Sequence, residues 1–279
     1  MAFNKLKKYK LSRARKDLPR RKLTDNKTRG GKCLIVAGSR GFWGAAVLCG
    51  EAAARVGAGY VYILDSKTQF PLMKSPDFLT IKKVNDFNIF HSIAVGPGYV
   101  LPRTLISLIK KLIQRKYPSV VLDAEALNAL ATVPKLRLPS SWILTPHEGE
   151  LARLLKVPSA KIKSDRVKYV LLAQKKFGCV VLLKGFRSLV ATNSGIYEIQ
   201  SGNCSLAKAG TGDVLTGMIA GFLSQKLQPD RATMLAAFVH GFIADQWIQN
   251  GFDHLSLRAP DLISAIPQTL NYIRTAKAK

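Results

Sequence analysis

The chain has 279 residues, with 43 Lys and Arg against 17 Asp and Glu and a formal net charge of +26. Hydrophobic residues make up 47% and charged residues 22%, a balance that suits a folded core and excludes both a disordered basic tail and a histone-like chain. The positive surplus favours anionic partners, whether nucleic acid, an anionic membrane surface or phosphorylated small molecules, without specifying a fold.

Charge is concentrated at the start, where residues 1–32 hold thirteen Lys and Arg and only Asp17 and Asp25. Residues 1–22 read as a basic, solvated extension that could bind polyanions weakly, ahead of a single domain over 23–279. From Cys33 onward short β-branched runs alternate with helical patterns. Strands are expected at 33–37, 60–64, 92–95, 119–122, 141–144 and 179–183, and a hairpin at 188–192 and 196–199 around Asn193-Ser194-Gly195. Most of these runs are apolar throughout, as strands buried on both faces should be. Helices are expected at 44–57, 102–116, 124–131, 147–155, 165–177, 213–225, 230–249 and 260–274. The alternation gives an α/β fold, a mostly parallel central sheet covered by helices on both faces in three α/β/α layers.

Cys33, Cys49, Cys179 and Cys204 are widely spaced, with no C-x-x-C pair and no clustered His, so neither a disulfide framework nor a structural metal is expected. No apolar segment follows the basic start and no uncharged apolar run of about 18 residues occurs, so the cytoplasm is the expected compartment and no membrane span is expected.

Several strand-to-helix turns carry candidate chemistry. Gly38-Ser39-Arg40-Gly41-Phe42-Trp43-Gly44 follows the first strand and opens an Ala-rich helix, a place where backbone N–H groups can face an anion, yet it matches neither the dinucleotide nor the P-loop fingerprint. Gly96-Pro97-Gly98 closes the strand at 92–95 at the edge where such sheets bind ligands. In Thr145-Pro146-His147-Glu148-Gly149-Glu150 a Thr145–Glu148 capping box with Pro146 at the first helical position explains three residues and leaves His147 as a candidate ligand contact. Asp123, in Leu122-Asp123-Ala124-Glu125-Ala126-Leu127-Asn128, is either a cap or an edge carboxylate, whereas His91, His240 and His254 show no partner pattern and read as structural.

The most informative stretch is Ala207-Lys208-Ala209-Gly210-Thr211-Gly212-Asp213-Val214-Leu215-Thr216-Gly217. Gly210 and Gly212 let the backbone approach a phosphate, and the apolar pattern from Val214 puts Asp213 in the first turn of a helix. Asp is a favoured cap, but a cap needs neither two glycines nor the flanking Lys208. The alternative is a division of labour in which the turn Gly210-Thr211-Gly212 holds phosphoryl oxygens while the carboxylate takes a hydroxyl proton.

In order and spacing, GSRGFWGAA, GPG, LDAEALN, TPHEGE, LLKGFRSLV and KAGTGDVLTG resemble the NAD(P)H-hydrate dehydratase family, whose members have the ribokinase-like fold. The resemblance implies a lyase that uses ADP or ATP, with Mg²⁺, to return the (S)-hydrates of NADH and NADPH to the normal cofactors by phosphorylating the added ring hydroxyl and expelling phosphate. It implies Asp213 as the catalytic base, Ala45, Gly98, His147 and Asp213 against the hydrated dinucleotide, and Lys184, Gly185, Phe186, Arg187, Ser188 and Gly212 against the nucleotide. It also implies a dimer or tetramer and a functional link to a separate NAD(P)H-hydrate epimerase, and it names no metal ligand in this chain. Ser188 stands where the family commonly has Thr, keeping the hydroxyl, and Glu125 stands where Asp is commoner. A small-molecule kinase of the same fold, acting on a vitamin-precursor alcohol, would use Asp213 and the glycine turn equally well.

Overall fold

The computed structural model describes residues 5–64, 77–133 and 136–276. In chain order its elements are β1 (Lys7–Tyr9), α1 (Leu11–Asp17), β2 (Lys32–Val36), α2 (Trp43–Arg55), β3 (Tyr60–Leu64), β4 (Phe78–Ile81), β5 (Ser92–Val95), α3 (Pro102–Gln114), β6 (Val120–Leu122), α4 (Glu125–Ala131) and β7 (Ile143–Leu144). They continue with α5 (Glu148–Leu155), α6 (Ser159–Ser164), α7 (Arg166–Phe177), β8 (Val180–Leu183), β9 (Leu189–Thr192), β10 (Gly195–Ile199), α8 (Thr211–Ser224), α9 (Pro229–Gln249) and α10 (Ala259–Thr275). The strands form one sheet in the order β1-β10-β9-β8-β7-β6-β5-β2-β3-β4. Every neighbouring pair is parallel except β8–β9 and β9–β10, so β9 alone runs against the rest.

Two separate cores show why the strands read as continuous apolar runs. Cys33 and Ile35 of β2 and Val180 and Leu182 of β8 point into one core with the buried faces of α2, α8, α9 and α10. Their alternates Leu34, Val36, Val181 and Leu183 point into the other, under α3, α4, α5 and α7. A strand that must fill a core on each face has no room for the polar alternation of a one-sided sheet. The hairpin forms as expected, with Gly195 of β10 opposite Thr192 of β9.

Residues 1–22 were expected to be a solvated extension, and the structure ties Lys7–Tyr9 and Leu11–Asp17 to the domain instead. β1 pairs in parallel with β10, Lys7 opposite Tyr197 and Tyr9 opposite Ile199. Tyr9 is 1% exposed, and its ring meets Phe238 of α9 edge-on at 6.0 Å. Asp17, also buried, accepts from Tyr9 Oη at 3.0 Å and Arg13 Nε at 3.2 Å, and its other oxygen lies 3.7 Å from Arg231 Nε on α9. The lysines that suggested a solvated tail have a structural use here, because charge on an edge strand discourages pairing with another chain. Tyr9→Ala should therefore lower the urea unfolding free energy by about 3–5 kcal/mol, as other buried aromatic truncations do. A change under about 1 kcal/mol would return this segment to the surface.

Candidate active site

Because β2, β5, β6, β7 and β8 all run the same way, their carboxyl ends open on one edge, where the motifs that follow them meet. After β6, Asp123 is buried and fully engaged: Lys184 Nζ, just past β8, donates to Oδ1 at 2.7 Å and Thr216 Oγ1 of α8 donates to Oδ2 at 2.8 Å. Lys184 Nζ also lies 3.8 Å from Glu150 Oε2. Burial presses the ammonium toward neutrality, but Asp123 and Glu150 outweigh it and hold Lys184 above its ordinary range. Ala124, beside Asp123, sits at φ +48°, a left-handed conformation that non-glycine residues seldom adopt and that concentrates at functional sites.

Across from this pair, α8 begins. Gly210 takes φ +88° as its N-cap, and Thr211 Oγ1 folds the turn back by donating to the carbonyls of Leu206 at 2.8 Å and Lys208 at 2.9 Å. Beneath it, His240 Nε2 lies 2.9 Å from the Thr211 carbonyl, and burial holds that imidazole neutral by lowering its pKa to about 4. A neutral ring at that contact carries its proton on Nε2 and donates. The first-turn N–H groups of a helix have no intrahelical acceptors, so this end is a natural phosphate seat. A side chain at Gly212 would start 3.6 Å from Lys184 Nζ, so glycine keeps the ammonium open to whatever occupies the turn. Asp213 follows, with its carboxyl pushed up to about 6 by burial and then by the Asp123 charge, against the lowering effect of Lys184. A carboxylate that loses its proton near neutrality is well matched to general-base work.

Lys184, Gly185, Phe186, Ser188, Thr211 and Gly212 share the wall of a cavity of about 720 Å³. Arg166, the first residue of α7, shapes the 184–188 loop by donating from Nη1 to the Phe186 carbonyl at 2.6 Å and from Nη2 to the Lys184 carbonyl at 3.4 Å. Its Nε lies 3.3 Å from Glu148 Oε1, off hydrogen-bond geometry, and burial lowers the guanidinium pKa. Phe186 is 69% exposed, with the Arg187 guanidinium over its ring at 5.5 Å, an open aromatic suited to a planar base. Gly202 and Asn203 also line the cavity, and behind them Asp245 of α9 accepts from Gly202 N and from Asn203 Nδ2, both at 2.9 Å, and so fixes that loop. Asp245→Ala should raise the KM of the ligand in this cavity about tenfold while kcat changes by less than about twofold, since it frees two loop donors without touching the reacting groups. Equal losses in both would place Asp245 in the chemistry instead.

The structure brings most of the expected residues together and changes the reading of others. His147 is the N-cap of α5: its Nδ1 accepts from Gly149 N at 3.0 Å and Glu150 N at 3.4 Å, while Glu150 Oε2 accepts from His147 N at 2.8 Å. The capping box is thus His147–Glu150, not Thr145–Glu148. Thr145 Oγ1 is buried and donates to the Leu122 carbonyl at 3.2 Å, and Pro146 precedes the helix, accepting through its carbonyl from Lys184 N at 2.8 Å. His147 still lines the 720 Å³ cavity, so its capping and ligand-facing roles coexist. Ala45 and Gly98 meet each other, since a Cβ at Gly98 would lie 2.7 Å from the Ala45 methyl and 2.9 Å from the Phe42 carbonyl, but neither lines the 720 Å³ cavity. Arg166, Asp245 and the two-carboxylate clasp on Lys184 had no signal in the sequence, because each acts across elements distant in the chain.

The class follows from where this edge lies. In this ribokinase-like α/β/α fold the carboxyl ends of the parallel strands form the edge where open sheets bind ligands, and Asp213 is in the first turn of the helix that meets it. A family model described as NAD(P)H-hydrate dehydratase matches residues 33–268, and the chain belongs to that family. It is 34% identical over 264 residues to the ADP-dependent (S)-NAD(P)H-hydrate dehydratase of Bacillus subtilis, covering 91% of this chain and 94% of that one. It is 35% identical over 280 residues to the bifunctional NAD(P)H-hydrate repair enzyme Nnr of Moorella thermoacetica, covering 92% of this chain but 52% of that one, so it spans about half the length of the bifunctional relatives it matches. The structure superposes with a TM-score of 0.88 and 29% identity on the ADP/ATP-dependent NAD(P)H-hydrate dehydratase of Bacillus subtilis co-crystallised with ATP/Mg²⁺, covering 96% of this chain and 99% of that one.

Proposed function

We propose that this chain uses ADP or ATP to dehydrate the (S)-hydrates of NADH and NADPH. The observation that carries the reading is Asp213, a carboxyl of raised proton affinity one residue beyond a phosphate-seating glycine turn and opposite the Lys184–Asp123 pair. Hydroxide is a poor leaving group from the hydrated ring, and phosphate is a good one. The Asp213 carboxylate takes the proton of the ring hydroxyl, whose oxygen then bonds to the terminal phosphorus of the nucleotide as AMP or ADP leaves. The ring nitrogen's lone pair expels the phosphate, and loss of a proton from the neighbouring carbon restores the double bond. Lys184 and the first-turn N–H groups of α8 would neutralise charge building on the transferring phosphoryl group. Lys184, Gly185, Phe186, Arg187, Ser188 and Gly212 would hold the nucleotide, and Ala45, Gly98 and His147 the hydrated dinucleotide.

Mg²⁺ would screen the two polyphosphates when bound. Among the described residues no group of three His, Cys, Asp or Glu gathers to hold a metal ion, and both Asp123 oxygens already accept hydrogen bonds. The described residues offer no cage, and the cation would arrive on the nucleotide. Recovery of the reduced-nicotinamide absorbance from hydrated NADH, with ADP and ATP supplied in separate assays, tests the proposal. No recovery with either, together with phosphorylation of a vitamin-precursor alcohol, would overturn it in favour of a kinase.

A further inference from the structure

α9 passes beneath the turn that carries Asp213 and touches it through His240, which is 6% exposed and whose Nε2 meets the Thr211 carbonyl at 2.9 Å. Among the first-turn amides of α8, Thr211 N already donates to the Lys208 carbonyl at 3.4 Å and Val214 N to the Gly210 carbonyl at 3.1 Å. The N–H groups of Gly212 and Asp213 meet no acceptor among the described residues, so they are the donors left for a phosphoryl group. Gly212 N and the Thr211 carbonyl belong to one peptide plane, and in a trans peptide the N–H points opposite to the C=O. A hydrogen bond that pins this carbonyl therefore aims the Gly212 N–H. The plane needs a pin, because glycines on both sides of Thr211 leave the backbone easy to turn. Thr211 Oγ1 ties only the side chain, to the carbonyls of Leu206 and Lys208.

We propose that His240 is a positioning residue for phosphoryl transfer: by holding the Thr211 carbonyl it keeps the Gly212 N–H directed at the transferring group. The inference rests on the proposed reaction at Asp213. A neutral imidazole has one N–H, and here it is committed to Thr211. Donation also polarises the shared peptide and strengthens its N–H as a donor. The rest of this stretch of α9 serves the cavity loop instead. A Cβ at Gly241 would lie 2.6 Å from Ser201 Oγ and 2.8 Å from Gly202 N, and Asp245 holds Gly202 and Asn203. α9 thus sets the binding wall with Gly241 and Asp245 and the reacting end with His240.

The test compares the full wild-type chain with His240→Leu, His240→Asn and His240→Gln. Leucine fills the space without a donor, asparagine carries a donor that falls short of Thr211, and the longer glutamine amide reaches the place of Nε2. Turnover, kcat, should fall about ten- to a hundredfold in the leucine and asparagine variants while the nucleotide KM stays within about threefold, and glutamine should recover most of the loss. Asparagine and glutamine bury the same amide, so a kcat difference between them reads reach and not stability, even where the leucine variant fails to fold. In the isotope-labelled chain the Gly212 amide signal should move on adding ADP in wild type and the glutamine variant, and less than about half as far in the asparagine variant. An asparagine variant with kcat within about threefold of wild type, glutamine no better than asparagine, or a Gly212 signal that ignores ADP in wild type overturns the assignment. If wild type restores no hydrated NADH, yet ADP moves the Gly212 signal fully only where residue 240 reaches Thr211, His240 keeps its role and the dehydratase reading falls.

Discussion

Asp213→Asn is expected to fold, bind ADP with unchanged affinity and lose about 10²–10⁴ in kcat, the range a positioned general base supplies. The amide keeps the size of the carboxyl and cannot take the hydroxyl proton. Its second expected effect has the opposite sign. The folded-state pKa is about 6 against an ordinary 3.8, so the folded chain holds this proton more tightly than the unfolded chain does. Stability from this group is therefore fully present below the unfolded value and is lost as pH rises through 6. At neutral pH the charged, desolvated Asp213 costs on the order of 3 kcal/mol, which the amide removes. The variant should be less active and more stable near pH 7, with the gain vanishing below about pH 4. In wild type, kcat should rise with pH through about 6 and level off above it. Turnover within about threefold of wild type, or a variant less stable at pH 7, would contradict this account.

That trade also explains which parts of the molecule were legible in the sequence. The turn that carries Asp213 is local: glycines, carboxylate and helix follow one another, and Gly210 through Thr216 announce their geometry in order. The same holds for the apolar strands, whose two-sided burial leaves a direct trace in composition. What escaped were features that depend on distant partners. Lys7, Lys8 and Lys10 look like a solvated run because nothing nearby shows that β1 will pair with β10. The short β4 pairs with β3 at the other end of the sheet and is only half buried, so its residues carry little strand signal. In Thr145–Glu150 two capping boxes were possible, and the sheet decided between them. Thr145 is drawn under the strands to the Leu122 carbonyl, which moves the helix start to His147 and leaves Glu150 to turn back on it and on Lys184. Arg166 and Asp245 shape the loops of the 720 Å³ cavity from α7 and α9, and no spacing rule links them to those loops.

The Lys184–Asp123 pair should give the second large effect, and its two halves should move the enzyme's pH profile in opposite directions. Lys184→Met leaves Asp123 buried with Thr216 as its remaining side-chain donor, a broken buried pair of the kind that costs about 3–5 kcal/mol. It also removes the charge that lowers the Asp213 pKa, so the acid limb of kcat should move above pH 6 while the plateau falls through loss of the cation beside the turn. Asp123→Asn keeps an acceptor for Thr216 and removes the charge that raises the Asp213 pKa, so its acid limb should move below pH 6. Cys49, the other titratable group against Asp213, sits in α2 with its thiol donating to the Asp213 carbonyl at 3.1 Å, and burial drives its pKa well up. It stays neutral across this range and cannot produce either shift. Urea unfolding and kcat–pH profiles of the two variants measure both effects. Shifts of the same sign in the two variants would mean that Asp213 is not the group titrating in the rate.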